Sequence, residues 1–278
     1  MKKYQRYIVN YFIPLTVGLF LTFLLLGRIN EIDANPQPDE VPMRVTTNTS
    51  FGLGEKLVFD LGYKFITAGK TIISIAPQTT VVAKRPCYNV KFETRTNPTM
   101  DKLFKVRDLY QTYIDTSGIF PWRFEQTVRE GSYSRDFSAI LDHKNKIAKT
   151  TEGSFSVPQY VQDVLSAFFY TRIIDLKKMK KGQSFMLYNF FGKQHYDLKV
   201  RMLGTEIVDV PAGKFECYVI EPMVVEGGLF KADGKILIYL TADEAKMPVK
   251  VSTKVIIGSI DGSLTSYSGV RGKISSKR

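Results

Sequence analysis

The side chains that could do chemistry in this sequence are few and widely spaced. His143 and His195 are its only histidines, so a histidine-rich metal site is impossible. No HExxH helix or close His/Asp cluster is present, and zinc chemistry is not expected. There is likewise no GxSxG elbow, no SxxK pair and no GxxxxGK[ST] phosphate loop. His143, in Leu141-Asp142-His143-Lys144-Asn145-Lys146, reads as part of an exposed turn, and His195 opens a strand. What is left is carboxylate chemistry, because glycosidase acid/base pairs come from distant strands. Asp101, Asp108, Asp163 and Asp243 are the candidates, and nothing in the spacing singles out a pair. Tyr113, Trp122 and Arg123 could stack on sugars or bases. The alternation around them reads more simply as sheet core with one solvated face. The sequence therefore assigns no catalytic residue, no metal ligand and no cofactor.

Cys87 and Cys217 lie in no CxxC or other metal-binding spacing. Alternation puts Cys87 outward with Asn89 and Lys91, and Cys217 inward with Phe215 and Val219, which argues against a bridge. The net charge of +12 points to anionic partners. Beyond a membrane these are anionic lipid headgroups or envelope polysaccharide, and an export signal argues against nucleic acid. Lys177, Lys178, Lys180 and Lys181 form the densest basic cluster and are the expected headgroup contacts.

Three kinds of segment would have to position these groups. Lys2, Lys3 and Arg6 precede an uncharged run from Ile8 to Leu26, the pattern of a secretory signal, with a retained anchor as the alternative. Either way, residues 1–34 deliver the rest of the chain to the far side of a membrane and supply the expected membrane contact. No small-x-small cleavage motif succeeds the run. No cysteine comes directly after it, so a lipoprotein anchor is not expected. Residues 35–50, with Pro36, Pro38 and Pro42, read as an extended linker. Residues 51–278 form one mainly β domain.

Within that domain the dominant period is two. Leu57, Phe59, Leu61, Tyr63 and Phe65 alternate with Lys56, Val58, Asp60, Gly62 and Lys64, as in a strand with one buried face. Similar runs cover Val106–Ile114, Trp122–Val128, His195–Met202, Phe215–Ile220, Lys235–Leu240 and Val249–Ile257. Turns are expected at Ala68-Gly69, Asp115-Thr116-Ser117-Gly118, Val210-Pro211-Ala212-Gly213 and Asp261-Gly262. One segment breaks the pattern. Tyr160, Val161, Val164, Leu165, Phe168 and Phe169 fall at helical spacing, with Ser156 as the expected cap and the lysines before Gly182 at the end. This amphipathic helix near the midpoint is expected to line or cover an opening of the sheet.

Several of these stretches carry a family resemblance. They are Phe51…Gly54-Glu55-Lys56-Leu57 with Ala68-Gly69, Val161 to Tyr170 with Arg172, and Val210-Pro211-Ala212-Gly213-Lys214-Phe215-Glu216-Cys217. Gly234-Lys235-Ile236…Tyr239 to Asp243, Met247-Pro248-Val249 and Ile257-Gly258-Ser259 complete the series. In order and spacing the chain resembles a bacterial exported family known as domain of unknown function 3108, over nearly all of residues 51–272. The resemblance implies a secreted, mainly β envelope protein. It supplies no site residues, because the family has no established activity.

The expected fold is a large antiparallel curved sheet, a half-barrel or barrel, with one helix near its midpoint. Three functions fit it: a module binding a hydrophobic or amphiphilic ligand in the concave face, a scaffold with a filled β core, and a carboxylate-dependent glycan enzyme. A cavity of several hundred Å³ would favour the first and a filled interior the second. Two carboxyls roughly 5–10 Å apart in a cleft would favour the third.

Overall fold

The computed structural model describes residues 42–63, 66–223, 236–254 and 259–278. The apolar run Ile8–Leu26 and the prolines Pro36 and Pro38 lie outside the described residues. Among the described residues no helix is long and apolar enough to cross a membrane.

Among these residues, fifteen strands form one antiparallel sheet. In chain order the first nine are β1 (Lys56–Tyr63), β2 (Ile66–Ile75), β3 (Thr80–Val82), β4 (Arg85–Thr96), β5 (Arg107–Asp115), β6 (Pro121–Glu130), β7 (Tyr133–Asp142), β8 (Ile147–Thr150) and β9 (Gly153–Ser156). The remainder are β10 (Ser184–Phe191), β11 (Gln194–Val210), β12 (Gly213–Met223), β13 (Ile236–Thr241), β14 (Pro248–Lys254) and β15 (Ser259–Ser268). Two helices interrupt them, α1 (Pro98–Asp101) and α2 (Val164–Ile173).

Strands β10 to β15 follow one another as a meander, and β15 then pairs with β1, which continues through β2, β4 and on to β9, with the short β3 appended to β4. The pairing of Lys56 with Ser268 and of Tyr63 with Ile260 thus joins the two halves of the chain. Local hairpins account for nearly every other pairing, as the abundant Thr, Val, Phe and Tyr and the close turn spacing require. The sheet does not close, because β9 and β10 stand at its two ends and do not pair. Instead Gln162, between β9 and α2, makes an isolated parallel bridge with Asn189 of β10. Both faces of β10 are covered at this point. Leu187 packs with residues of β11 to β13, while Phe190 packs with residues of β6 to β8, so the sheet wraps past itself as an open spiral.

The turns expected at 115–118 and 210–213 are the connections β5–β6 and β11–β12. Two others are corrected. Ala68-Gly69 lies inside β2, and Asp261-Gly262 inside β15. At Gly69 the glycine serves packing rather than turning. A Cβ on Gly69 would lie 2.3 Å from the Arg95 carbonyl oxygen of the neighbouring strand, and one on Gly262 would meet the Leu61 side chain.

The helix near the midpoint is present, but it is shorter than the apolar spacing implied. It begins at Val164, capped by Asp163 rather than Ser156, and ends at Ile173. Val161 precedes it, fully buried in the cluster formed with Phe124, Phe137 and Leu141. The Asp163 carboxylate accepts from the backbone N–H groups of Leu165 and Ser166, and the Ser166 hydroxyl accepts from the Asp163 N–H, a reciprocal capping box. Burial extends well round the circumference of α2. Leu165, Ser166, Ala167, Phe169, Thr171 and Arg172 are all buried, while Val164 and Phe168 are half-buried. The reason is its position inside the curve of the sheet, where Phe169, Leu165 and Ala167 each enter a different core cluster.

Candidate functional site

Antiparallel pairing puts the start of β1, the β5–β6 and β11–β12 turns and the end of β15 at one end of the sheet, here called the base. Residues 42–55 reach β1 along this end. Met43 packs beside Cys87, Phe120 and Trp122, and Arg44 donates to the carbonyls of Gly118 and Ile119 at 3.0 Å each. The Arg44 guanidinium also stacks over the rings of Phe120, Tyr160 and Tyr170, and burial lowers its pKa. Ile119 sits at φ +50°, unusual for a β-branched residue, with its carbonyl held by Arg44 and by the Gln162 amide.

His143 belongs to this cluster and is fully buried, not in an exposed turn. Its Nε2–H donates to the Pro121 carbonyl at 2.6 Å and its Nδ1 accepts the Tyr160 N–H at 3.1 Å. Both ring nitrogens are thereby satisfied by backbone in one neutral tautomer. Burial, joined by the nearby Arg44 charge, pushes its pKa down to about 4. Cys87 is also buried, contrary to the outward face that alternation assigned it, because the Phe120–Trp122 cluster covers that side of β4. Both cysteines are free, and burial pushes each thiol up to about 12. His195 is exposed at the start of β11.

The four candidate aspartates are not brought together as one site. Asp101 pairs with Arg107 at the Thr96–Arg107 connection. Asp243 bonds the hydroxyls of Thr241 and Ser276. Asp163, wholly enclosed, accepts from the Thr112 hydroxyl at 2.6 Å besides capping α2, and burial raises its pKa to about 6. Asp163→Ala would remove the cap and strand a buried Thr112 hydroxyl. Chemical denaturation is expected to show a loss of about 2 kcal/mol.

Asp108 does have a carboxyl neighbour, and it is Glu130, which the sequence did not single out. Glu130 bridges Val106 at the end of β6, so cross-strand register sets it diagonal to Asp108 on β5. Burial and the mutual charge raise Glu130 to about 7, and burial raises Asp108. Register alone could have found this pair, but only once β5 and β6 were known to be neighbours. Trp122 is unavailable for stacking on a ligand, since it is buried and donates its indole N–H to Asp115 at 3.0 Å. Arg123 lies over the Tyr113 ring on the sheet surface. Among the described residues no group of three or more His, Cys, Asp or Glu side chains could hold a metal.

Arg172 is the largest fully buried side chain among the described residues. It forms a bidentate ion pair with the buried Glu55, 2.9 Å between Nη2 and Oε2, and donates to the carbonyls of Ser50 and Ala245. Its guanidinium also stacks between Phe51 and Phe169. The pair ties α2 to the base. Beyond α2, Lys177 and Lys178 fall in the 3-10 turn Leu176–Lys178, and Lys180 and Lys181 just after it, instead of on a longer helix. All four are exposed, and Lys178 pairs with Asp175 at 2.8 Å.

The family described as Protein of unknown function (DUF3108) matches residues 58–265, which is most of the sheet. The chain belongs to that family. Among solved structures, the DUF3108 chain is similar to a β-barrel-like protein of the domain of unknown function DUF1849 from Brucella abortus. The two share 11% identity with a TM-score of 0.52, over 80% of this chain and 99% of that one, a likeness of fold alone. Weaker similarity is found to a hypothetical protein of Chlamydia trachomatis, at 10% identity and a TM-score of 0.34 over 82% of this chain and 92% of that one. A candidate exported protein with YmcC-like fold from Bacteroides fragilis aligns at 11% identity and a TM-score of 0.31, over 80% of this chain and 98% of that one. No curated protein matches.

Proposed function

We propose that this DUF3108 chain is an exported, non-enzymatic envelope protein that acts through contacts on its surface, its concave side being used for its own core. The observation that carries this reading is the position of α2 within the curve of the sheet, where Leu165, Ala167 and Phe169 each anchor a separate buried cluster. The space a half-barrel would offer to a lipid tail is taken up there by side chains. Export rests on Lys2, Lys3 and Arg6 ahead of the uncharged run, as a cleaved signal in preference to an inner-membrane anchor.

The surface partner proposed is anionic, a lipid headgroup or an acidic polysaccharide, met by Lys177, Lys178, Lys180 and Lys181. Replacing all four with Glu is expected to weaken binding to anionic liposomes at low salt. Unchanged binding would remove the cluster from the reading. Native mass spectrometry with organic extraction, on protein recovered from a periplasm, tests the filled interior. A clean protein mass is expected, and a reproducible lipid-sized addition would restore the enclosed-amphiphile reading.

A further inference from the structure

At the base, an open cleft of about 510 Å³ lies between the segment preceding β1, the β2–β4 side of the sheet and the residues after β15. Among the described residues its walls contain one cationic side chain and no carboxylate. The cation is Arg271, which is exposed and anchored through a single donor, Nη1 to the Asn48 carbonyl at 2.8 Å. Its remaining guanidinium N–H groups have no partner among the described residues. The exposed Thr79 and the half-buried ring of Tyr88 also line the cleft, the ring held edge-on against Phe51. The apolar side is supplied by Leu53, 41% exposed. Glycine keeps the cleft open: a Cβ on Gly52 would stand in ordinary contact with the Arg271 stem at 3.8 Å, and any longer side chain there would project into the space.

From this we infer that the base cleft is a binding site for a phosphate-type anion carried next to an apolar group, as in an anionic phospholipid headgroup. A planar guanidinium fixed through one nitrogen presents its other donors to tetrahedral oxygens in a bidentate manner. The Thr79 hydroxyl in the same lining offers a further donor, and a described lining without carboxylates removes the repulsion that usually disfavours anions. The exposed Leu53 gives the first carbons beyond the phosphate an apolar contact, which free phosphate would not use. This site is distinct from the lysine cluster and does not depend on it.

Calorimetric titration of the full chain is the test. The probes are dihexanoyl phosphatidylglycerol below its micelle concentration, the matching phosphatidylcholine, and inorganic phosphate. The glycerol lipid is expected to bind, and the choline lipid to bind about tenfold more weakly. Arg271→Glu and, independently, Gly52→Leu should each weaken the glycerol lipid about tenfold, with circular dichroism unchanged. In a chain whose Lys177, Lys178, Lys180 and Lys181 are replaced by Glu, Arg271→Glu should still weaken the glycerol lipid about tenfold, which separates this site from the surface cluster. Inorganic phosphate binding as tightly as the lipid, with the same sensitivity to Arg271→Glu, would uphold the anion site and identify free phosphate as its source. No binding of either probe, or binding indifferent to both variants, would overturn the assignment.

Discussion

Arg172→Met should destabilise the protein by about 3–5 kcal/mol. The substitution keeps an apolar stem but removes the guanidinium, leaving the Glu55 carboxylate enclosed without its counter-ion. It also frees the carbonyls of Ser50 and Ala245, which have Arg172 as a donor. The double variant Arg172→Met, Glu55→Gln should recover a large part of the loss, because the uncompensated charge is the costly element and the pair itself contributes little net stability. Urea unfolding of the two variants beside the parent checks both statements. A loss under about 1 kcal/mol for Arg172→Met, or a double variant no better than the single one, would mean that water or a rearranged side chain reaches Glu55.

Acid should act on this fold through His143. An imidazole whose folded pKa is about 4, against an ordinary value of 6.5, holds its proton less readily in the native state than in the unfolded chain. Its contribution is complete above pH 6.5 and is lost as the pH falls towards 4, by about 3 kcal/mol in total. The hydrogen bonds give the geometric reason, since a proton placed on Nδ1 would face the Tyr160 N–H. Asp163 and Glu130 work in the opposite direction. Their raised values, about 6 and about 7, mean that the folded state takes up protons first, so they favour the native state as the pH falls through that range. Against the effect of burial, hydrogen bonds from Arg85 and Ser252 lower the pKa values of Asp115 and Asp261. Their contributions, like that of His143, are lost on acidification, so a comparison is needed to isolate the histidine's share. The difference in unfolding free energy between the parent and His143→Gln should shrink by about 3 kcal/mol between pH 7 and pH 4. If that difference were constant with pH, the histidine would not be a buried neutral group.

The lysine cluster and the base cleft illustrate two degrees of legibility. Lys177, Lys178, Lys180 and Lys181 are nearly contiguous, so a linear reading finds them at once and finds that charge of this kind stays in water. The cleft draws on residues 52, 79, 88 and 271, which nothing in their local sequence relates. They meet only because β15 returns to pair with β1, bringing the residues after Ser268 beside those before Lys56.

By itself the sequence determined the class of this protein. Alternation of Leu57, Phe59 and Leu61 with Lys56, Val58, Asp60 and Gly62 calls for a strand with one buried face, and the spacing of turns such as 210–213 calls for antiparallel hairpins. A run of apolar residues at helical spacing demands a helix near the midpoint. These are local properties, written in periods of two and of three to four residues. Only the tertiary structure decided what each face meets. Cys87 and His143 are buried because the Phe120–Trp122 cluster and Tyr160 close over the base, and no local pattern around either residue carries that information. Asp163 displaced Ser156 as the cap because the chain must first pair Gln162 with β10 before it can turn into the interior. Gly69 reads as a turn, since glycine suits a turn and a crowded strand equally, and the neighbour that excludes its Cβ lies on another strand. The same holds for Arg172, whose buried charge is tolerable only where Glu55, distant in the chain, is folded against it.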